Sequence, residues 1–252
     1  MAEPVLLNFE KHSNLRLSET RDFTQFKSQH LVPVVFHEFY MLATEFPLVF
    51  VRNSESGGFV PVAMMGLSKG TNLYCQTPVW SSAFIPTSFS LSPLSVHRLE
   101  PGSDEAVIAL DEESSLLSES VGEPMFEAGG EYTKYLQARI DHVVNITKQS
   151  LQTMALCKYL VEKNLFKSGR LSLQFSDKSP RYEVEGVYTI DEEALNKLSD
   201  EEYLELRTRG LLPLMYSHLT SLHKFPGLLR LQDQFDQEHA ATNSKPDPEP
   251  IQ

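Results

Sequence analysis

Apolar positions in the first hundred residues come in short runs separated by turn-forming residues. Residues 31–35, 47–51 and 59–65 are β-branched or apolar stretches of strand length, and Ser54, Gly57 and Gly58 lie in the break between the last two. A hairpin or meander sheet is predicted. Pro33 and Pro61 have no N–H to give a ladder, which places them at an edge or a bulge. Residues 107–110 add a further strand that ends at Asp111.

From residue 131 the period changes. Leu136, Ile140, Val143, Thr147, Leu151 and Met154 recur at steps of three and four, the spacing of one helix face. Lys134, Arg139, Lys148, Lys158 and Lys163 fill other positions. An amphipathic helix is predicted over 131–166, broken at most once and ending near Ser168 and Gly169. Residues 171–175 and 182–190 then read as a hairpin around 177–180. Asp191 is placed to cap a short helix over 192–198, and Ser199 or Asp200 to cap the next. Gly210 stops that helix, and Leu211 opens the last one or two. After about Asp236, prolines and a shortage of apolar residues predict a disordered tail over 237–252. The fold class expected is α+β, in one domain over 1–236. A β-rich N-terminal half (1–130, a meander or hairpin sheet) packs with a helical C-terminal half (131–236).

Charge narrows the possible partners. The chain has 252 residues with 22 Lys and Arg against 34 Asp and Glu, a formal net charge of −12. That balance disfavours nucleic acid, because phosphate binding needs a basic face. The charge is also segregated: residues 100–131 hold ten acids and no Lys or Arg, and residues 183–205 hold nine acids against Lys197 alone. The rest of the chain is net basic. The two acidic stretches read either as a solvated face or as a docking surface for a basic protein or peptide partner. Cys75 and Cys157 lack zinc-ligand spacing and read as free thiols in a reducing compartment. Residues 1–15 show no signal-peptide core, and the most apolar C-terminal stretch, 210–231, is interrupted by Pro213, His218, His223, Lys224, Pro226 and Arg230. No membrane span is expected, and the location expected is cytoplasmic.

The candidate chemical motifs fail on spacing or context. Gly66, Ser68 and Gly70 form a literal G-x-S-x-G, but a nucleophile elbow needs a helix after the serine, and Thr71 to Tyr74 read as a turn returning to a strand. His37-Glu38 opens like a zinc-binding H-E-x-x-H, yet the fifth position is Met41. No spacing among the eight histidines predicts a metal, and no phosphate-binding glycine loop predicts a nucleotide, so no cofactor is expected. Cys157 beside Lys158 is either a packed thiol or, if exposed, an activated one. Trp80, the single tryptophan, lies on a Pro-rich loop and reads either as a plug at one end of a sheet or as a ligand platform.

The dispersed segments stand in a recognisable order. It runs through His12-Ser13-Asn14-Leu15-Arg16-Leu17, Gln29-His30-Leu31-Val32-Pro33 and Glu38-Phe39, then Phe46-Pro47-Leu48-Val49. Trp80 and Phe84-Ile85-Pro86 follow, then Gly122-Glu123-Pro124-Met125-Phe126, Val187-Tyr188-Thr189-Ile190-Asp191 and Tyr216-Ser217-His218. This order resembles that of a bacterial SapC-family protein, and the likeness covers about residues 7–223. It implies membership of a family whose label is tied to surface-layer proteins, and it implies no reaction or ligand. The family places arginines after the Ile-Pro pair, whereas residues 87–94 have none, so no anion role is expected of that loop. The function expected is that of a cytoplasmic, non-catalytic binding or accessory protein. An enzyme with a dispersed His/carboxylate site and a surface-layer component are the alternatives, and oligomeric state is left open. His12, His30, Glu38, Trp80 and His218, polar or aromatic residues inside the shared segments, are the candidate binding residues, expected to converge if a ligand site exists.

Overall fold

The structure, a computed structural model, describes residues 5–19, 22–54, 57–98, 106–175 and 181–243, with the backbone alone for 241–243. In chain order the elements are β1 (Val5–Leu6), α1 (Phe9–His12), β2 (Arg16–Leu17), β3 (Leu31–Pro33), α2 (Phe39–Leu42), β4 (Leu48–Arg52) and β5 (Phe59–Met64). Next come β6 (Leu94–Arg98), β7 (Ala106–Leu110), β8 (Leu117–Ser118), β9 (Glu123–Pro124) and α3 (Lys134–Glu162). The chain closes with β10 (Phe166–Gln174), β11 (Arg181–Ile190), α4 (Glu192–Asn196), α5 (Asp200–Thr208), α6 (Leu211–Ser221) and α7 (Phe225–Asn243). Short 3₁₀ turns at Phe36–Glu38 and Thr87–Ser90 lie between these elements.

The fold is α+β, with strands mostly in the N-terminal half and the long helix in the C-terminal part. One sheet joins the two halves. Its order is β10-β11-β4-β5-β3, every pairing antiparallel, and the C-terminal hairpin enters through Val187 opposite Val51 and Tyr188 opposite Phe50. Pro33 sits on the edge strand β3. Pro61 lies one strand in, beyond the last β3 pair at Pro33–Val62, and its carbonyl accepts from Val34 N–H at 3.1 Å. Its missing donor therefore faces the side where β3 has already ended. Two smaller sheets, β1-β7-β6 and β8-β2-β9, lie outside the main one. Strand β6 is absent from the sequence expectation, because polar His97 and Arg98 finish a run in which Leu94 is buried and Val96 only half-buried against the core.

Among the described residues there are two apolar cores, and α3 enters both. Leu136, Ile140 and Val143 pack with Leu17, Leu110 and Met125, whereas Cys157 and Leu160 pack with Phe39, Phe46 and Phe50 of the main core. At 29 residues, α3 is a strut about 44 Å long. Thr133 caps it by accepting from Leu136 N–H at 3.2 Å. It stops at Glu162, short of Ser168 and Gly169, because Asn164 takes φ 54 and Leu165 N–H reaches back to the Leu160 carbonyl. Asparagine is one of the few residues that tolerate this left-handed closing geometry.

The apolar periodicity along α3 does not follow its buried line throughout. Leu151 and Met154 are 49% and 42% exposed, and Thr153 is buried in their place. The reason is the Phe36–Glu38 turn beneath the helix, whose Phe36 N–H donates to Thr153 Oγ1 at 3.1 Å. At the C-terminal end, Asp191 and Ser199 cap α4 and α5, and Gly210 takes φ 70 before α6. Helix α7 runs on to Asn243, past the Asp236 boundary expected from composition, while 244–252 lie outside the described residues.

Candidate functional site

Two clefts flank the Phe36–Thr153 contact. The first, about 300 Å³, lies between the middle of α3 and the end of the main sheet, walled by Val34, Val60, Ile146, Leu151 and Met154. Glu38 and Ser88 supply polar groups to it. Glu38 is 7% exposed. Its Oε2 accepts from Val35 N–H at 3.1 Å, and its Oε1 accepts from Thr87 N–H at 2.7 Å and Thr87 Oγ1–H at 2.5 Å. Among the described residues no cation pairs with it. Ser88 Oγ is buried and, among the described residues, has no hydrogen-bond partner. The second cleft, about 590 Å³, opens on the other flank of Thr153 between His37, Tyr40, Gln152 and Arg209. Tyr40 on α2 is exposed in its lining, as Leu151 and Met154 are in that of the first, and Met41 next along α2 is exposed too.

The five sequence candidates are each held by partners of their own. His12 is buried in the smaller-core region, its Nε2 2.8 Å from Glu112 Oε1 and its Nδ1 against the backbone of Asn8. Hydrogen bonds from Lys11 and then His12 hold the Glu112 carboxyl below the usual range. His30 Nδ1 accepts from Gly70 N–H at 3.3 Å, and partial burial with Lys69 nearby lowers its pKa. Trp80 packs among Phe23, Phe46, Tyr74 and Phe89, and its Nε1–H donates to the Phe84 carbonyl at 3.0 Å. His218 is fully buried, accepts from Ile190 N–H through Nε2 at 3.1 Å, and stacks near Phe50. Burial lowers its pKa to about 3, against a smaller opposing contribution from the Leu48 backbone, so at neutral pH it is uncharged with the proton on Nδ1. Among the described residues, no hydrogen bond, ion pair or ring contact joins any two of the five. Glu38 and Trp80 come closest in function, since both hold the loop from Trp80 to Ser90.

Residues that sequence spacing could not place together also meet here. Arg139 of α3 donates through Nη2 to the carbonyls of Ser90 at 2.8 Å and Ser92 at 3.0 Å, so the loop lacking arginines of its own receives one from a helix. Ser90 Oγ lies 2.8 Å from His142 Nε2 and donates to the Thr87 carbonyl at 2.6 Å. With its only proton given to Thr87, that hydroxyl must accept from His142, and the histidine is in the wrong tautomer to act as its base.

The Gly66–Gly70 turn is likewise structural. Gln232 Oε1 accepts from Leu67 N–H at 2.9 Å and Ser68 N–H at 3.3 Å, and a Cβ on Gly66 would sit 2.0 Å from the Thr71 carbonyl oxygen. The chain after it forms neither helix nor the strand expected, although Leu73 N–H does return to the Met65 carbonyl. Burial pushes the Cys75 thiol up to about 11, with the Asp22 charge adding to it, and the Cys157 thiol up to about 12. Among the described residues no group of three or more His, Cys, Asp or Glu could hold a metal ion, and no helix is long and apolar enough to cross a membrane.

Comparison with known proteins places the chain by family. The SapC family model matches residues 7–228, and the chain belongs to the SapC family. Neither a curated protein nor a solved structure matches it.

Proposed function

We propose that the protein is a non-catalytic binding or accessory protein of the cytoplasm, and that it takes a protein or peptide partner on the outer face of α3 and the neighbouring α2. The observation that carries this reading is the uncovered apolar surface: Tyr40, Met41, Leu151 and Met154 are 42% to 55% exposed, Leu151 and Met154 bordering one cleft and Tyr40 the other. Clustered apolar exposure of this kind marks interaction surfaces, and methionine adapts readily to a partner's shape. Exposed Lys148 and Lys158 stand one turn to either side of Leu151 and Met154, which favours a partner segment carrying acidic residues around an apolar anchor. The groups best suited to chemistry support a non-catalytic role, because burial keeps His218 neutral and both thiols protonated. Two unpaired buried thiols also accord with a reducing compartment. That α3 serves both cores supports treating residues 1–236 as one domain.

A second reading, an enzyme with a dispersed histidine, has the Ser90–His142 contact in its favour. The commitment of the serine proton to Thr87 weighs against it.

The test is photo-crosslinking in the source cells from probes placed at positions 151 and 154, with a probe on the exposed hairpin residue Glu185 as control. A discrete protein adduct from the α3 positions, lost in a Leu151→Glu/Met154→Glu variant that still folds, supports the reading. No adduct, or one that the double variant retains, refutes it. Recovery in a surface-layer fraction instead of the cytosol would move the protein to the surface-layer alternative.

A further inference from the structure

The first cleft has an unusual floor. Buried carboxylates are normally paired with a cation, since three neutral hydrogen bonds compensate only part of the desolvation of a full charge. Glu38 has those three and no cation among the described residues. A carboxylate offers about four lone-pair positions. Oε1 uses two on Thr87 and Oε2 uses one on Val35, which leaves one open on Oε2. One acceptor position of a buried carboxylate is thus left open in a residue that lines an apolar space.

The space itself selects the rest of the ligand. About 300 Å³ is at the small end of ligand pockets, room for a short stem rather than a large ring system. Its walls, Val34, Val60, Ile146, Leu151 and Met154, are aliphatic or thioether and would pack on a hydrocarbon chain.

We propose that this cleft is a binding site for a primary ammonium on an aliphatic stem, with Glu38 Oε2 as its acceptor. An ammonium has three donors and no acceptor, so it completes Glu38 and leaves two donors for water or a partner group at the cleft mouth. An anionic head is excluded by repulsion from Glu38. The same chemistry is carried by a free alkylamine and by a lysine side chain. The site stands whether or not a partner covers α3.

Titration calorimetry of the full chain with n-hexylamine, 1-hexanol, hexanoate and N-acetyl-lysine methylamide tests this. Hexylamine is expected to bind saturably, one per chain, about tenfold or more tighter than hexanol, because a hydrogen bond to a charged group is the stronger kind. Hexanoate should not bind. Ile146→Trp, at a wall of the cleft, fills it and should abolish binding. If circular dichroism shows Ile146→Trp misfolded, Met154→Trp is the blocking variant. Stronger binding of the lysine derivative identifies a side chain of a partner as the source, and stronger binding of hexylamine a small molecule. Equal binding of hexylamine and hexanoate, no saturable amine binding, or binding indifferent to the blocking variant overturns the proposal.

Discussion

The carboxylate of Glu38 accepts both the backbone N–H and the hydroxyl of Thr87, 49 residues further along the chain, at 2.7 and 2.5 Å. One buried side chain therefore joins the turn under α3 to the turn that carries Phe89 into the aromatic cluster around Trp80. Glu38→Ala would leave the donors of Val35 and Thr87 without this acceptor, each worth roughly 1–3 kcal/mol when buried and unpaired. A loss on the order of 3 kcal/mol is expected in urea unfolding at neutral pH, and a change under about 1 kcal/mol would show that the contact carries little stability.

His218 makes stability sensitive to mild acid. Its folded pKa of about 3 lies below the ordinary 6.5, so between those values the unfolded chain holds a proton that the folded one does not. Stability must therefore fall as pH drops below about 6.5, by up to about 1.4 kcal/mol per pH unit from this group, and stop falling on its account below about 3. Denaturant unfolding at pH 7, 6 and 5 should show that slope in the native sequence and a shallower one in His218→Gln, whose amide oxygen can still accept from Ile190.

Gln232 is the residue on which the G-x-S-x-G turn depends. Gln232→Ala removes the acceptor for the Leu67 and Ser68 amides, and a cost of roughly 2 kcal/mol is expected from thermal or chemical unfolding. Ser68→Ala should leave stability and any ester hydrolysis by the preparation unchanged. Loss of hydrolysis in that variant would restore the serine as a nucleophile.

The two thiols should be chemically silent in the native protein. With the Cys75 pKa near 11 and that of Cys157 near 12, each is overwhelmingly protonated at pH 8, and both side chains are buried. Iodoacetamide labelling followed by mass spectrometry should track unfolding, with both sites modified in denaturant and neither at a comparable rate without it.

Much of the local structure is written in short-range pattern. The strands around Val32, Val49 and Val62, the caps Asp191 and Ser199, and the stop at Gly210 all follow from interactions within a few residues, which propensity and capping chemistry describe well. Position 164 had a usable signal too, since asparagine is a common left-handed helix terminator, but the apolar run through Leu165 and Phe166 masks it. The site was legible only in part. Glu38 lies in a recognisable segment, whereas nothing local marks Ser88, Arg139 or Thr153.

What the sequence determined by itself is the α+β class, most element positions, the segregation of acidic residues and, through dispersed motifs, the SapC family. Tertiary structure alone decided which apolar residues are covered and which charges are met. Leu151 and Thr153 have their expected sides exchanged because a turn more than a hundred residues earlier reaches the helix at Thr153. Lys11 and His12 meet Glu112, Arg170 meets Glu183 and Glu185, and Lys163 meets Glu202 and Glu205, so acids that look unopposed along the chain have bases beside them in space. The physical reason is one of range: backbone propensity and capping act over a few residues, while burial and charge pairing depend on whatever the fold brings within a few ångströms.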